Sequence, residues 1–399
     1  MKDYKKLALT IFSLLSLNVM ANNKLETNTS LRVATFNVSM EALNYAERIE
    51  GKRAKVNGDE LISALKSDHQ QIKNIAEIIQ RINPDIILLN EFDYSNDNGK
   101  AIQLLINDYL AVSQQGQLKQ NFPYYYQAPV NTGVKTPFDL NGDKKITSPV
   151  DTYGFGHFPG HFGMVLLSKY PIDSEKVRTF QKFKWKDMPN ALMPVDPKTE
   201  KPWYSDEAWQ GFRLSSKSHW DIPVTVDGQE IHILASHPTP PVFDGPEDRN
   251  GKRNHDEIRF WRDYLTPEAS HYIYDDNKQY GGIKEDVPFV ILGDLNASAT
   301  EGDAINSSIL ALLTHKNVQD PMPMSHGGKK HSKENPLAKH HTAYWRMRAD
   351  YVLPSKSGFN IVDSGVFWPT ADSPEFRLIE SRQASSDHRL VWVDVQLNK

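Results

Sequence analysis

Residues 288–298 read PFVILGDLNAS, and this short stretch decides how the rest of the chain is read. The apolar run from Phe289 to Leu292 is bounded by Pro288 and Gly293, which marks a buried strand rather than a helix. Gly293 lets the backbone turn sharply after that strand, and Asp294 and Asn296 lie two residues apart, on one side in extended geometry. An Asx-type turn accounts for Gly-Asp and Asn equally well, so the segment needs partners elsewhere.

Two earlier stretches have the same build. LRVATFNV (Leu31–Val38) carries Asn37 at its end, and DIILLN (Asp85–Asn90) is followed by Glu91. Further strands are expected at Gly163–Ser168, Ile222–Val226, Glu230–Ser236, Asp350–Leu353 and Leu390–Leu397. Val226-Asp227-Gly228-Gln229 reads as a hairpin turn, since Asp-Gly supplies positive backbone angles. Between the first two strands Ile72, Ile75, Ala76, Ile79 and Ile82 recur at helical spacing, with Asp68 as the expected N-cap and Pro84 beyond the end. Similar helices are expected at Asp256–Tyr264 and Ala304–Thr314. Long loops are expected at 121–160, 179–220, 238–256 and 321–341, and because strands continue on both sides of each, they read as insertions into one domain.

Composition sets the outer bounds. Lys2, Lys5 and Lys6 precede an apolar run from Leu7 to Met20 that is too short to span a bilayer, so residues 1–21 are expected to be a signal peptide and residues 22–399 a single secreted or periplasmic domain. The chain has no cysteine, which excludes disulfides, thiolate nucleophiles and Cys-ligated zinc or iron–sulfur sites. A formal charge of −4 argues against bulk attraction to nucleic acid; a polyanion would need local cations or bound metal.

The strand ends carry residue types suited to phosphoester chemistry. Asn37 and Glu91 offer the oxygen ligands that hard cations require. In the GDLN segment a carboxylate can orient water while an amide donates to a phosphoryl oxygen. Near the C-terminus Ser386-Asp387-His388 precedes the last strand, and Asp350 is the expected carboxylate partner of His388. His237, after EIHILAS, is a second strand-end histidine. Either histidine alone would read as a satisfied structural residue.

In chain order, TFN (Thr35–Asn37), NE (Asn90-Glu91), GMVLLSKYPI (Gly163–Ile172), SHP (Ser236–Pro238), GDLN (Gly293–Asn296), RAD (Arg348–Asp350) and SDH (Ser386–His388) resemble the endonuclease/exonuclease/phosphatase superfamily over about residues 31–397. The resemblance implies an α/β (α+β) fold, a four-layer α/β/β/α sandwich of two mixed β-sheets flanked by helices. It assigns Asn37, Glu91 and Asp387 to a divalent metal, Mg²⁺ first and Mn²⁺ or Ca²⁺ as alternatives. It assigns Asp294 to the nucleophile or a second metal, Asn296 to phosphate stabilisation, His388 with Asp350 to general-base or phosphate-binding work, and His237 to the leaving group. The family's Arg-Ile-Asp is Arg-Ala-Asp here, with Ala349 in the middle, and SHPTPP is a shortened form of the family's His-Ser-Ala-Pro pattern.

Weaker signals remain. Arg213, Lys217 and His219, with Trp220, form a basic and aromatic cluster before a strand, suited to phosphate or simply solvated. Asp139, Asn141 and Asp143 have the alternation of a calcium loop, but Lys144 stands where Gly is expected and Asp151 falls one residue late, so an Asx-rich loop fits as well. His315, His331, His340 and His341 lack an ordered zinc spacing and read as a solvated loop. The expected function is a metal-dependent phosphatase or phosphodiesterase on small phosphorylated substrates. A nuclease, a sphingomyelinase-like lipid phosphodiesterase and a catalytically silent metal-binding protein are the alternatives.

Overall fold

The computed structural model describes residues 30–49, 51–95 and 98–398; the expected signal peptide lies outside them. In chain order the strands are β1 (Ser30–Met40), β2 (Arg48–Ile49), β3 (Lys52–Arg53), β4 (Ile86–Phe92), β5 (Tyr124–Tyr126), β6 (Met164–Ser168), β7 (Arg178–Thr179), β8 (His219–Val226), β9 (Gln229–Ser236), β10 (Phe289–Asp294), β11 (Asp350–Pro354), β12 (Phe359–Val366) and β13 (Val391–Leu397). One sheet has the order β12-β13-β1-β4-β6-β5 and a second the order β11-β10-β9-β8-β7. Each contains one parallel pair, β1 with β4 and β9 with β10, so both sheets are mixed.

The sheets pack face to face, β1 against β10 and β11, and β4 against β10. Side-chain alternation splits β10 between two cores: Val290 and Leu292 point to the first sheet, Ile291 into a second cluster with Phe260, Trp261 and Tyr264. Those aromatics belong to the helix Arg249–Tyr264, which covers the outer face of the second sheet. The helix Gln70–Ile82 covers the first sheet with Ile72, Ile75, Ala76 and Ile79. This is the expected four-layer sandwich.

Local differences have clear causes. Asp68 has φ +58 and does not cap its helix; His69 does, through the Gln71 amide, and Asn83 in the left-handed region ends the helix before Pro84. Helix Arg249–Tyr264 starts seven residues before the apolar signal because its first turns bury polar groups such as Arg253 and Asn254. β12 was not expected, since its outward positions Asn360, Val362 and Asp363 are exposed and break the alternation around a register shift. Gly293 does not turn the chain: β10 runs on to Asp294, and a Cβ at Gly293 would lie 2.0 Å from the Ser236 carbonyl oxygen on β9. His340 and His341 are buried, the first bonded to the Pro323 carbonyl and the second to Glu301, so that stretch is not a solvated loop. No described helix is long and apolar enough to cross a membrane.

One buried ion pair makes stability pH-dependent. His232 Nδ1 lies 2.5 Å from Asp221 Oδ1, and Tyr264 donates to the other oxygen of that carboxylate. Burial opposes the imidazolium, but Asp221 and then Glu230 outweigh it and hold the pKa of His232 above its ordinary value. A raised folded-state pKa contributes stability that is complete below about pH 6.5 and is lost as pH rises through the folded value. The Tm difference between wild type and His232→Gln is therefore expected to be larger at pH 6 than at pH 9; equal differences would contradict the charged pair.

Candidate functional site

Strand register places the polar residues in one row. Asp294 pairs with Asp350 across β10 and β11. The parallel register of β9 and β10, carried two residues past its last pair, sets His237 beside Asp294. In the facing sheet Asn37 pairs with Asn90, one residue before Glu91. Asp294 continues the inward row of Val290 and Leu292, so its carboxylate points across the sandwich to Asn37.

Asp294 is the hub. It is 1% exposed, accepts from Asn37 Nδ2 at 3.1 Å and from the Asn296 amide at 3.0 Å, and its Oδ2 lies 3.5 Å from Nε2 of both His237 and His388. Its backbone N–H donates to Asn90 Oδ1, a second bond between the sheets. Burial raises the Asp294 carboxyl to about 7 against the lowering influence of His388. His388 is opposed by burial but lies between Asp350 and Asp294, which together raise it to about 10, so its imidazole holds a proton at neutral pH. His237 is lowered well below its ordinary value by burial and then by Lys217, and is neutral. Its Nδ1 is buried without a partner.

The expected pairing of His388 with Asp350 is present, with Nδ1 2.9 Å from Oδ2 and 3.2 Å from Oδ1. Sequence reading missed Thr342 behind it. Its hydroxyl donates to Asp350 Oδ2 at 2.7 Å and accepts from the amides of Ala349 and Asp350. It stands eight residues before Asp350 without a motif to mark it. Trp345, also missed, is half-exposed and meets the His388 ring edge-on at 4.6 Å.

Asn37, Glu91 and Asp387 come together on the first sheet's side. Glu91 sits at φ +54, an uncommon angle for a non-glycine residue that re-aims it at the strand end. Burial, and next the charge of Asp387, push its carboxyl upward, against the lowering influence of His388 and the nearby Asn37 side chain. Two half-buried carboxylates and an amide kept close form an oxygen donor set that a hard cation would relieve, so these residues fit a divalent ion. Asp387 precedes β13 instead of lying in it and is 3.4 Å from the Ser39 hydroxyl and 3.5 Å from Arg382. Asp294, Asp350 and His388 also offer ligand atoms within 4.8 Å of one another, but both Asp350 oxygens already bond to His388, and one of them to Thr342 as well.

The other candidates separate. Asn296 lies beside the hub and donates to the Pro238 carbonyl at 3.3 Å. Arg213 is committed to Asn131 Oδ1 and the Tyr153 ring, and His219 spends both nitrogens on Ser215 and the Glu257 carbonyl. Lys217 alone of that trio faces the hub, feeling Glu91 and Asp294 after Glu257. Asp139, Asn141 and Asp143 lie in an exposed loop away from this row, their oxygens accepting from the amides of Gly142, Lys144, Asp143 and Lys145.

The family model for the Endonuclease/Exonuclease/phosphatase family matches residues 34–388, and the chain belongs to that family. No curated protein matches. Among solved structures, an endonuclease/exonuclease/phosphatase from Beutenbergia cavernae is 17% identical with a TM-score of 0.51, covering 92% of this chain and 72% of that one. The human Nocturnin catalytic domain is 13% identical with a TM-score of 0.46, covering 92% and 95%. Sphingomyelinase C from Streptomyces griseocarneus is 14% identical with a TM-score of 0.43, covering 92% and 99%. At these identities the first likeness speaks for the fold alone.

Thr342→Val removes a hydroxyl that satisfies two buried amides and a carboxylate. Urea unfolding is expected to show a loss of about 1–3 kcal/mol, the cost of leaving such groups unpaired. An unchanged midpoint and slope would mean that Asp350 is held in place by something else.

Proposed function

We propose that this member of the endonuclease/exonuclease/phosphatase family hydrolyses phosphoesters of small phosphorylated molecules, by in-line attack of a water activated at Asp294, after export of residues 22–399 as one domain. The observation that carries the reading is the buried carboxylate of Asp294, which accepts from Asn37 and lies 3.5 Å from Nε2 of both His237 and His388. Burial raises the proton affinity of that carboxylate, which suits a group that takes a proton from water.

Within this reading Asp294, anchored by Asn37 and the Asn296 amide, orients the water and accepts its proton. Asp350, fixed by Thr342, keeps His388 charged, so His388 acts as a phosphoryl-binding imidazolium and not as the base. Asn296 supports the same oxygens through its amide. His237, neutral and aligned with Asp294, stands on the leaving-group side. Asn37, Glu91 and Asp387 would hold a divalent ion, Mg²⁺ in the first instance, which when bound neutralises phosphoryl charge.

One observation favours a second reading. Tyr344 and Trp345 lie exposed in a tight turn closed by the Ala343–Met347 bridge, next to His388. An exposed aromatic tip beside the site suits a phosphodiester with an apolar portion, as in a lipid substrate. A nuclease has less support, because two members of the basic cluster read from the sequence, Arg213 and His219, are committed elsewhere.

With Mg²⁺, p-nitrophenyl phosphate, bis-p-nitrophenyl phosphate, sphingomyelin vesicles and plasmid DNA separate these readings. Hydrolysis of one of the two small esters is expected, and vesicle or plasmid cleavage alone would shift the assignment accordingly. His388→Ala and Asp294→Asn are each expected to lower kcat by about 10²-fold or more. No hydrolysis of any substrate by wild type would sink the enzyme reading.

A further inference from the structure

Lys217 stands near the hub with most of its side chain buried. It is 5% exposed, yet among the described residues its ammonium has no hydrogen bond and no ion pair. Its neighbours in the chain are fully committed: the Ser216 amide donates to Glu257 Oε1 at 2.6 Å, and the Lys217 carbonyl accepts from the Asn131 amide at 2.9 Å. Glu257, the nearest strong negative field, has its two oxygens occupied by the amides of Ser216 and Thr239. The ammonium is not one of the enclosed polar atoms that lack a partner, so a buried stem delivers an unpaired cation to open space at the site, where it can meet an anion.

Its position says which anion. In the antiparallel register of β8 and β9, His219 pairs with Ser236, and two further steps set Lys217 opposite Pro238. The Ser216 hydroxyl reaches the His237 carbonyl at 3.5 Å, tying the two strand ends together. The register sets Ser218 opposite His237 and Lys217 one residue beyond, at the edge of the second sheet where His237, Asp294 and Asp350 stand in a row. Beside Lys217 lies a buried polar atom without a partner, His237 Nδ1. An orphan cation and an orphan imidazole nitrogen on adjacent strand ends form half of a cradle for an oxyanion.

We propose that Lys217 is a substrate-binding residue that grips a non-bridging phosphoryl oxygen on the His237 side of Asp294, opposite the carboxylates of Glu91 and Asp387. The assignment rests on the hydrolase reading for the identity of the anion as substrate. The phosphoryl group then lies between a protein cation on one side and His388 on the other. Lys217 needs no metal to do this, so anion binding and metal binding are separable.

Lys217→Met keeps the stem volume and removes the charge. Inorganic phosphate titrated calorimetrically into wild type with Mg²⁺ is expected to bind about 10-fold or more tightly than to the variant, as loss of a charge-assisted bond implies. Mg²⁺ affinity measured without phosphate is expected to be equal or higher in Lys217→Met, and its Tm to stay within a few degrees of wild type, because the ammonium makes no protein contact that the variant loses. Lys217→Arg is expected to regain part of the phosphate affinity. A Tm fall of more than about 5 °C, or a variant that does not fold, would mark Lys217 as structural and overturn the proposal. So would phosphate affinity and kcat/KM within about two-fold of wild type. An inactive wild type that still binds phosphate through Lys217 would sink the hydrolase reading alone; an active wild type with an indifferent Lys217→Met would sink the lysine assignment alone.

Discussion

A carboxylate sealed between two β-sheets is the constraint around which this molecule is organised. Asp294 lies where water is scarce, and a carboxylate in such a place must be hydrogen-bonded, paired or protonated. Here all three occur in part. Asn37 reaches it from the opposite sheet, Asn90 holds its backbone, and two histidines approach the same oxygen. The contacts that satisfy the carboxylate also fix the distance between the sheets, so fold and site share the same bonds.

Strand ends were legible because a buried strand leaves a short apolar run with a polar terminus. Asn37, Glu91, Asp294 and His388 each follow or precede such a run, and each lies at the hub. Thr342 and Trp345 were not legible. Thr342 reaches Asp350 through a side-chain bond that no motif marks, and Trp345 is brought to His388 by the bridge between Ala343 and His388, a contact 45 residues long in sequence. Arg213 and His219 show the reverse failure: a basic cluster in the chain becomes, once folded, an Asn131 partner and an internally bonded imidazole. Proximity in sequence predicted kinship, and the direction of each side chain decided otherwise.

Gly293 was legible as a necessity and misread as to its reason. The residue type is demanded by the close passage of the Ser236 carbonyl, not by a bend. The difference matters for the site, because that close passage brings β9 near enough to β10 for His237 to stand level with Asp294.

The long insertions have a consequence of their own. The chemical groups sit on strand termini whose spacing is set by backbone ladders, while the segments between β7 and β8, and between β10 and β11, rise from the same edge with their own packing, as around Trp185, Trp209 and Phe212. Loops anchored this way can change length and surface without shifting a ligand atom. Such a layout separates the evolution of selectivity from the evolution of reactivity: relatives can diverge in what they admit while the groups that act on the admitted bond stay where the sheets put them.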